Sequence, residues 1–174
     1  MVTTREPGAT PLGREVRRVL LESEIALEPL AELLLFLADR VEHVRRVILP
    51  ALAAGAIVLC DRFSDSTIAY QGYGREGDVA RVCRWDEESR DGLSADLTFL
   101  LDCPVPVAAA RLRQTTDRYQ ALEAAFHERV RAGFLALADA NPHRIRRIDA
   151  GEDIACVRDE IAAVVDAWLA ERSR

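Results

Sequence analysis

The 174-residue chain contains no lysine; all 23 of its basic side chains are arginine. That absence excludes, within these residues, the Gly-x-x-x-x-Gly-Lys-Ser/Thr loop, which cradles nucleotide phosphates with backbone amides, a lysine and a hydroxyl. There is no Cys-x-x-Cys pair. The four cysteines, Cys60, Cys83, Cys103 and Cys156, lie far apart, and the three histidines add no ligand spacing. A structural metal and a disulfide are therefore not expected, and Cys60 and Cys103 read as small buried apolar residues at strand ends. No apolar run approaches the roughly 20 residues that cross a bilayer, and no signal-peptide pattern opens the sequence. Cytoplasm is the expected compartment, with no membrane partner. The net charge of −6 carries no general nucleic-acid footprint. Linkers, internal repeats and low-complexity tracts are missing too, and the length suits a single domain, 1–174.

What is present centres on residues 57–75. Ile57-Val58-Leu59-Cys60 is a short apolar run after Gly55, read as a buried parallel strand, although buried helix fits a run this short. Asp61-Arg62 closes it, and a segment rich in hydroxyls follows, with Ser64, Ser66, Thr67 and Tyr70 leading to Gln71-Gly72-Tyr73-Gly74-Arg75. Ligands of open parallel α/β sheets sit outside the carboxyl ends of strands. An acid there holds magnesium or its waters, and a guanidinium clamps phosphate oxygens. The alternative is an aspartate capping the next helix beside an arginine paired on the surface.

Residues 5–13 form a loop dense in turn residues, suited either to lie against a ligand or simply to join a strand at 1–4 to a helix over 14–21. The strongest helix spans 30–49. Leu30, Leu34, Leu37, Val41, Val44 and Ile48 alternate in steps of four and three, a coiled-coil-like seam that predicts packing on another helix, in this chain or a second copy. Phe36 and Arg40, one turn apart on another face, suit stacking on a flat base or a plain core edge. Residues 78–91 read as a charged helix and 97–102 as a second buried strand, with Asp102 a structural cap. Pro104 and Pro106 open a helix through 112. Arg111, Arg113 and Arg118 flank a polar break, either a mobile lid at about 111–118 or a solvated turn. An amphipathic helix at 119–138, a strand at 144–148 and a last helix to about 170 complete the chain. Strands separated by helices predict an α/β fold with a parallel sheet and helices on both faces.

Several segments resemble bacterial thymidylate (dTMP) kinases. Residues 4–13, TREPGATPLG, resemble their TREPGGTPLG segment, and Leu35-Phe36-Leu37-Ala38-Asp39-Arg40 with His43 resembles their LFxADRxxH helix. Asp61-Arg62-Phe63, Ser66-Thr67, Ala69-Tyr70-Gln71-Gly72 and Gly74-Arg75 resemble DRYxxSTxAYQGxGR. Asp96 to Asp102 is similar to the PDLTxxLDV strand, with Ala95 where proline is usual. Asp117-Arg118-Tyr119, Phe126-His127, Arg129-Val130-Arg131 and Ile148-Asp149-Ala150 resemble the post-lid and adenine-side segments.

The resemblance implies a P-loop-kinase-like fold and transfer of the ATP γ-phosphate to dTMP, with Mg²⁺ as cofactor. It implies that Phe36 stacks on thymine, Arg40 bonds a ring carbonyl, Ser66 or Thr67 meets the base edge, Tyr70 packs near the deoxyribose and Gln71 borders the base. Glu6 and Pro7 line the nucleotide, Arg62 holds its phosphate and Asp61 lies near the magnesium. Arg111, Arg113 and Arg118 are lid candidates for catalysis, Asp149 and Ala150 border the adenine of ATP, and the 30–49 helix makes a homodimer. Because such kinases carry the glycine-lysine loop, the expectation is of a chain missing its first β-α unit, with unpaired strand edges and little activity as it stands. The alternative is a non-catalytic remnant that binds dTMP or dimerises.

Overall fold

The computed structural model describes residues 1–111, 119 and 122–172. Its elements run β1 (Val2–Arg5), α1 (Pro11–Arg17), α2 (Pro29–His43), α3 (Leu49–Ala53), β2 (Val58–Asp61), α4 (Ser64–Thr67), α5 (Val79–Ser89), β3 (Thr98–Asp102), α6 (Val105–Arg111), α7 (Ala124–Ala140), β4 (Ile145–Asp149) and α8 (Ile154–Arg172). Wide i→i+5 turns extend α1 over Arg18–Glu22, α2 over Val44–Ile48 and α4 over Ile68–Gly74.

Local chemistry sets most boundaries. Thr10 caps α1, its hydroxyl accepting from the Gly13 amide at 2.9 Å, and Pro11 takes the first turn. The helix therefore starts three residues before the expected 14. The wide turn after α2 ends at Ile48, two residues before Pro50. Proline has no N–H to give and crowds the carbonyl four residues back, which a wider turn relieves. Asp78 caps α5 by accepting from the Arg81 amide at 3.0 Å. Gly92, with φ +73°, leads the chain away from it.

Residues group into two compact units. The first holds 1–94 and 115–134. There β1 and β2 pair in parallel, from Val2 opposite Val58 to Arg5 opposite Asp61. Parallel neighbours need a crossover, which α1 to α3 supply. The apolar run at 57–60 predicts a strand covered on both faces; the structure covers one. Exposure alternates along β2, and Leu59 is 50 % exposed. Cys60 is half-buried rather than fully buried. In a single two-stranded ladder alternate side chains stay open to solvent. An aromatic cluster around Ala69, Tyr119, Phe126 and Val130, with Phe36 and Tyr70 packed on it, forms much of this unit's core.

The second unit holds 95–114 and 135–174. There β3 and β4 pair in parallel, from Thr98 opposite Ile145 to Asp102 opposite Asp149. Ile145 and Ile148 are buried and α8 packs on β4. Asp102 anchors this ladder by accepting from Arg147 Nε at 3.0 Å and a terminal nitrogen at 2.6 Å. The order of elements predicts one parallel sheet. Among the described residues the strands form two two-stranded ladders, β1–β2 and β3–β4.

The seam on the 30–49 helix divides. Leu37, Val44 and Ile48 are buried within the chain, whereas Leu30 and Leu34 stay 45 % and 49 % exposed. The exposed apolar line runs instead through Leu30, Leu34 and Ala38, in steps of four. A straight helix of 3.6 residues per turn drifts from a 3.5-residue repeat, and the wide turn at 44–48 interrupts the repeat outright.

Candidate active site

β2 ends in Asp61, whose carbonyl accepts from the Glu6 amide at 3.0 Å. Its side chain is exposed and lines an open cleft of about 450 Å³ with Thr3, Thr4, Arg5, Ala9 and Val47. Asp61 caps no helix: α4 begins after Phe63, and that cap makes no side-chain bond. Arg62 has φ +63°, a left-handed conformation costly for a residue with a Cβ. The turn places its guanidinium 5.2 Å from the centre of the Tyr70 ring. Two consecutive residues thus serve two places, the acid the cleft and the guanidinium the aromatic cluster.

Phe36 and Tyr70 both reach Tyr119, with ring centres 6.2 and 5.6 Å apart. Gln71 is buried beside them and donates to Glu32 Oε1 at 3.0 Å and to the Tyr119 hydroxyl at 3.4 Å. Arg75 donates to both Glu32 oxygens, at 3.2 and 2.7 Å, and these bonds hold its charge above its ordinary range. Ser66 is half-buried on α4, whereas Thr67 is 2 % exposed.

Glu6 and Arg40, two residues that the resemblance puts along the nucleotide, are 5 % and 1 % exposed and bound to each other. Arg40 Nε and one terminal nitrogen donate to Glu6 Oε2 at 2.9 and 2.6 Å; the other terminal nitrogen donates to Asp86 Oδ1. Burial opposes the Arg40 charge, and the carboxylates of Glu6 and Asp86 outweigh it, so the guanidinium stays ionised. His43 Nδ1 lies 2.8 Å from Glu6 Oε1, and its Nε2 lies 2.7 Å from the Thr4 hydroxyl. Pro7 is buried, with its carbonyl accepting from Arg17 at 3.0 Å. Asp39 accepts from the Gly8 amide at 3.1 Å through one oxygen, while its other is buried with no partner among the described residues. Burial, then the neighbouring Glu6, pushes its carboxyl up to about 6. Burial and the same glutamate push the Cys60 thiol up to about 12, so it stays protonated.

In the second unit, Arg111 and the 149–151 turn come together. Arg111 donates to the carbonyls of Ala150 and Gly151, the latter at 2.8 Å, and Asp149 accepts from the Gly151 amide at 2.8 Å. Arg113 and Arg118, with most of the expected lid, lie outside the described residues.

Sequence reasoning did not pick out Glu32 or Asp86, both fully buried and both bound to arginines. For Glu32 a signal exists. Glu32, Asp39, Arg40 and His43 repeat at seven, eight and eleven residues, a polar stripe at helical period on the covered side of α2. Asp86 stands in the charged run RWDEES, which reads as a solvated face.

Among the described residues no group of three or more metal-ligating side chains is present, and no helix is long and apolar enough to cross a membrane. Mg²⁺ commonly takes only one or two carboxylates, with waters and substrate phosphates completing its shell. The exposed Asp61 in its cleft fits that donor set.

The Thymidylate kinase family matches residues 1–161. A thymidylate kinase of Gloeobacter violaceus is 49% identical over 98% of this chain and 82% of its own length. One of Thermosynechococcus vestitus is 47% identical over 97% of this chain and 73% of its own. The crystal structure of thymidylate kinase from Ehrlichia chaffeensis superposes with a TM-score of 0.78 at 38% identity, covering 95% of this chain and 79% of that one. Likeness that runs through nearly the whole chain, in sequence and backbone alike, means that this protein belongs to the thymidylate kinase family and has a P-loop-kinase-like α/β fold.

Proposed function

We propose that the protein's reaction is ATP + dTMP → ADP + dTDP, and that the first unit holds the dTMP. The observation that carries the reading is Arg62, held in a left-handed turn at a strand's carboxyl end and laid over Tyr70. Thymine stacks on Phe36, with Arg40 donating to a ring carbonyl. Each terminal nitrogen of Arg40 has a second hydrogen beyond those given to Glu6 and Asp86. Ser66, the more accessible of the hydroxyl pair, meets the base edge. Gln71 borders the base and Tyr70 packs near the deoxyribose. Glu6 acts by holding Arg40, and Pro7 backs the nucleotide loop.

Arg62 clamps the monophosphate and aligns one of its oxygens on the γ-phosphorus of ATP. The new P–O bond forms as the bond to the β–γ bridging oxygen breaks, and ADP leaves with that electron pair. The acceptor oxygen is already anionic, so no strong general base is required, and catalysis is positioning and electrostatics. Asp61 is the residue that holds Mg²⁺ or its waters; when bound, the ion neutralises charge on the donor phosphates. Arg111, Arg113 and Arg118 stabilise the transferring phosphoryl group, and Asp149 and Ala150 border the adenine of ATP. A second copy docks on the apolar line Leu30, Leu34 and Ala38.

The chain has no lysine and no glycine-lysine loop. That favours a finer reading, in which these 174 residues bind dTMP yet transfer phosphate slowly or not at all. Calorimetry of the purified chain with dTMP, with UMP as control, tests the binding; an assay for ADP release tests the transfer. Selective dTMP binding with ADP release supports the full reaction, and binding alone supports the finer reading. Equal binding of UMP, or none of either, overturns the dTMP assignment. Arg62→Ala is expected to weaken dTMP far more than thymidine; equal losses would remove its phosphate role.

A further inference from the structure

Asp86 is fully buried on α5 and accepts from three side chains, on α2, on α4 and at the C-cap of its own helix. Its Oδ1 takes a terminal nitrogen of Arg40 on α2. Its Oδ2 takes the Ser64 hydroxyl, at the start of α4, and Arg90 Nε at 3.0 Å. Arg90 is itself tied to the Leu93 carbonyl at 2.6 Å. Ser64 stands two residues after Arg62, whose left-handed backbone needs its surroundings to keep it in place. The start of α5 does not require this acid: Asp78 caps the helix, and Val82 is its buried apolar residue. A buried carboxylate is costly unless its donors surround it, and besides Arg90 these donors are Arg40 and Ser64, the latter beside the Arg62 turn.

We propose that Asp86 is a positioning residue of the dTMP site. One oxygen sets the plane of Arg40, which reads the base; the other, through Ser64, sets the turn that aims Arg62 at the phosphate. The inference rests on the dTMP reading above and adds a residue to it that touches no substrate.

Two variants of the full chain test it, Asp86→Asn and Ser64→Ala, each titrated with dTMP and with thymidine well below its own melting midpoint. Asp86→Asn keeps the shape and removes the charge, and is expected to weaken thymidine by about tenfold and dTMP by more, because the base contact and the phosphate contact both lose a support. Ser64→Ala cuts only the tie to the Arg62 turn, and is expected to weaken dTMP while leaving thymidine unchanged. Split losses of this kind are not produced by destabilisation alone. Variants that melt earlier yet bind both ligands like the parent overturn the proposal, as does a Ser64→Ala that loses both ligands equally. If Asp86→Asn does not fold, Ser64→Ala decides by the same two outcomes. A parent chain that binds neither ligand overturns the dTMP reading and this role with it, an outcome visible before any variant is made.

Discussion

The two compact units treat charge in opposite ways. In the first, Glu6, Glu32, Asp39, Arg40, His43 and Asp86 are each no more than 5 % exposed and bonded to other residues of the same unit. In the second, Arg111, Asp149 and Arg158 are exposed, and Asp102 is the one carboxylate buried among the described residues. Burying ions costs several kcal/mol each in desolvation and is met only when every charge finds a partner in good geometry. The first unit therefore has one arrangement of these charges to offer. The second keeps Arg111 near solvent, bonded to the turn carbonyls of Ala150 and Gly151.

The contrast breaks most sharply at Glu6. Glu6→Ala leaves Arg40 and His43 facing an empty space, and removing one partner of a buried pair costs roughly 3–5 kcal/mol. Urea unfolding is expected to show that loss, and a loss below about 1 kcal/mol would mean that the cluster relaxes as easily as a surface pair. Phe36→Ala is expected next. Stacking of a base on an aromatic ring is worth roughly 1–3 kcal/mol, so the dTMP dissociation constant should rise by about tenfold or more. An unchanged constant would leave the ring only its place in the aromatic cluster. Arg147→Ala makes the matching cut in the second unit. Its side chain is 57% exposed, and Asp102 can recruit water in its place, so about 1 kcal/mol is expected. A loss equal to that of Glu6→Ala would erase the difference between the units.

The subtlest test is Asp39. Its folded carboxyl is raised from 3.8 to about 6, by burial and then by Glu6. The folded state thus keeps a proton that the unfolded state has lost, so this group's contribution is full below about pH 4 and is lost as pH rises through about 6. Asp39→Asn carries no such penalty. Its melting midpoint should exceed the parent's at pH 7 and converge with it toward pH 4. A gap that does not change between those pH values would assign the effect to packing rather than titration.

Much of the architecture was legible in residue order. Apolar runs ending in Asp61 and Asp102 mark β2 and β3, whereas the turn-rich composition of 5–13 hides the start of α1 at Pro11. The paired motifs from Thr4 to Gly74 carry the family. Where reading failed, the failure had a local cause. The leucine repeat of α2 looks continuous because spacing says nothing about which side the rest of the chain covers. Once α1 and α5 pack on that helix, Leu37 and Val44 are interior and Leu30 and Leu34 are not.

The sequence by itself determined the order of strands and helices, the family, and the residue types of the candidate site. All of these reside in patterns a few residues long, where neighbours in sequence are neighbours in space. Only the tertiary structure decided what the charges do. Arg40 meets Glu6 across 34 residues and Asp86 across 46, and Gln71 meets Glu32 across 39. An isolated helix would leave each of these groups in water. Packing the elements removes the water, and a buried ion must then find its opposite in the one place where the fold has brought it.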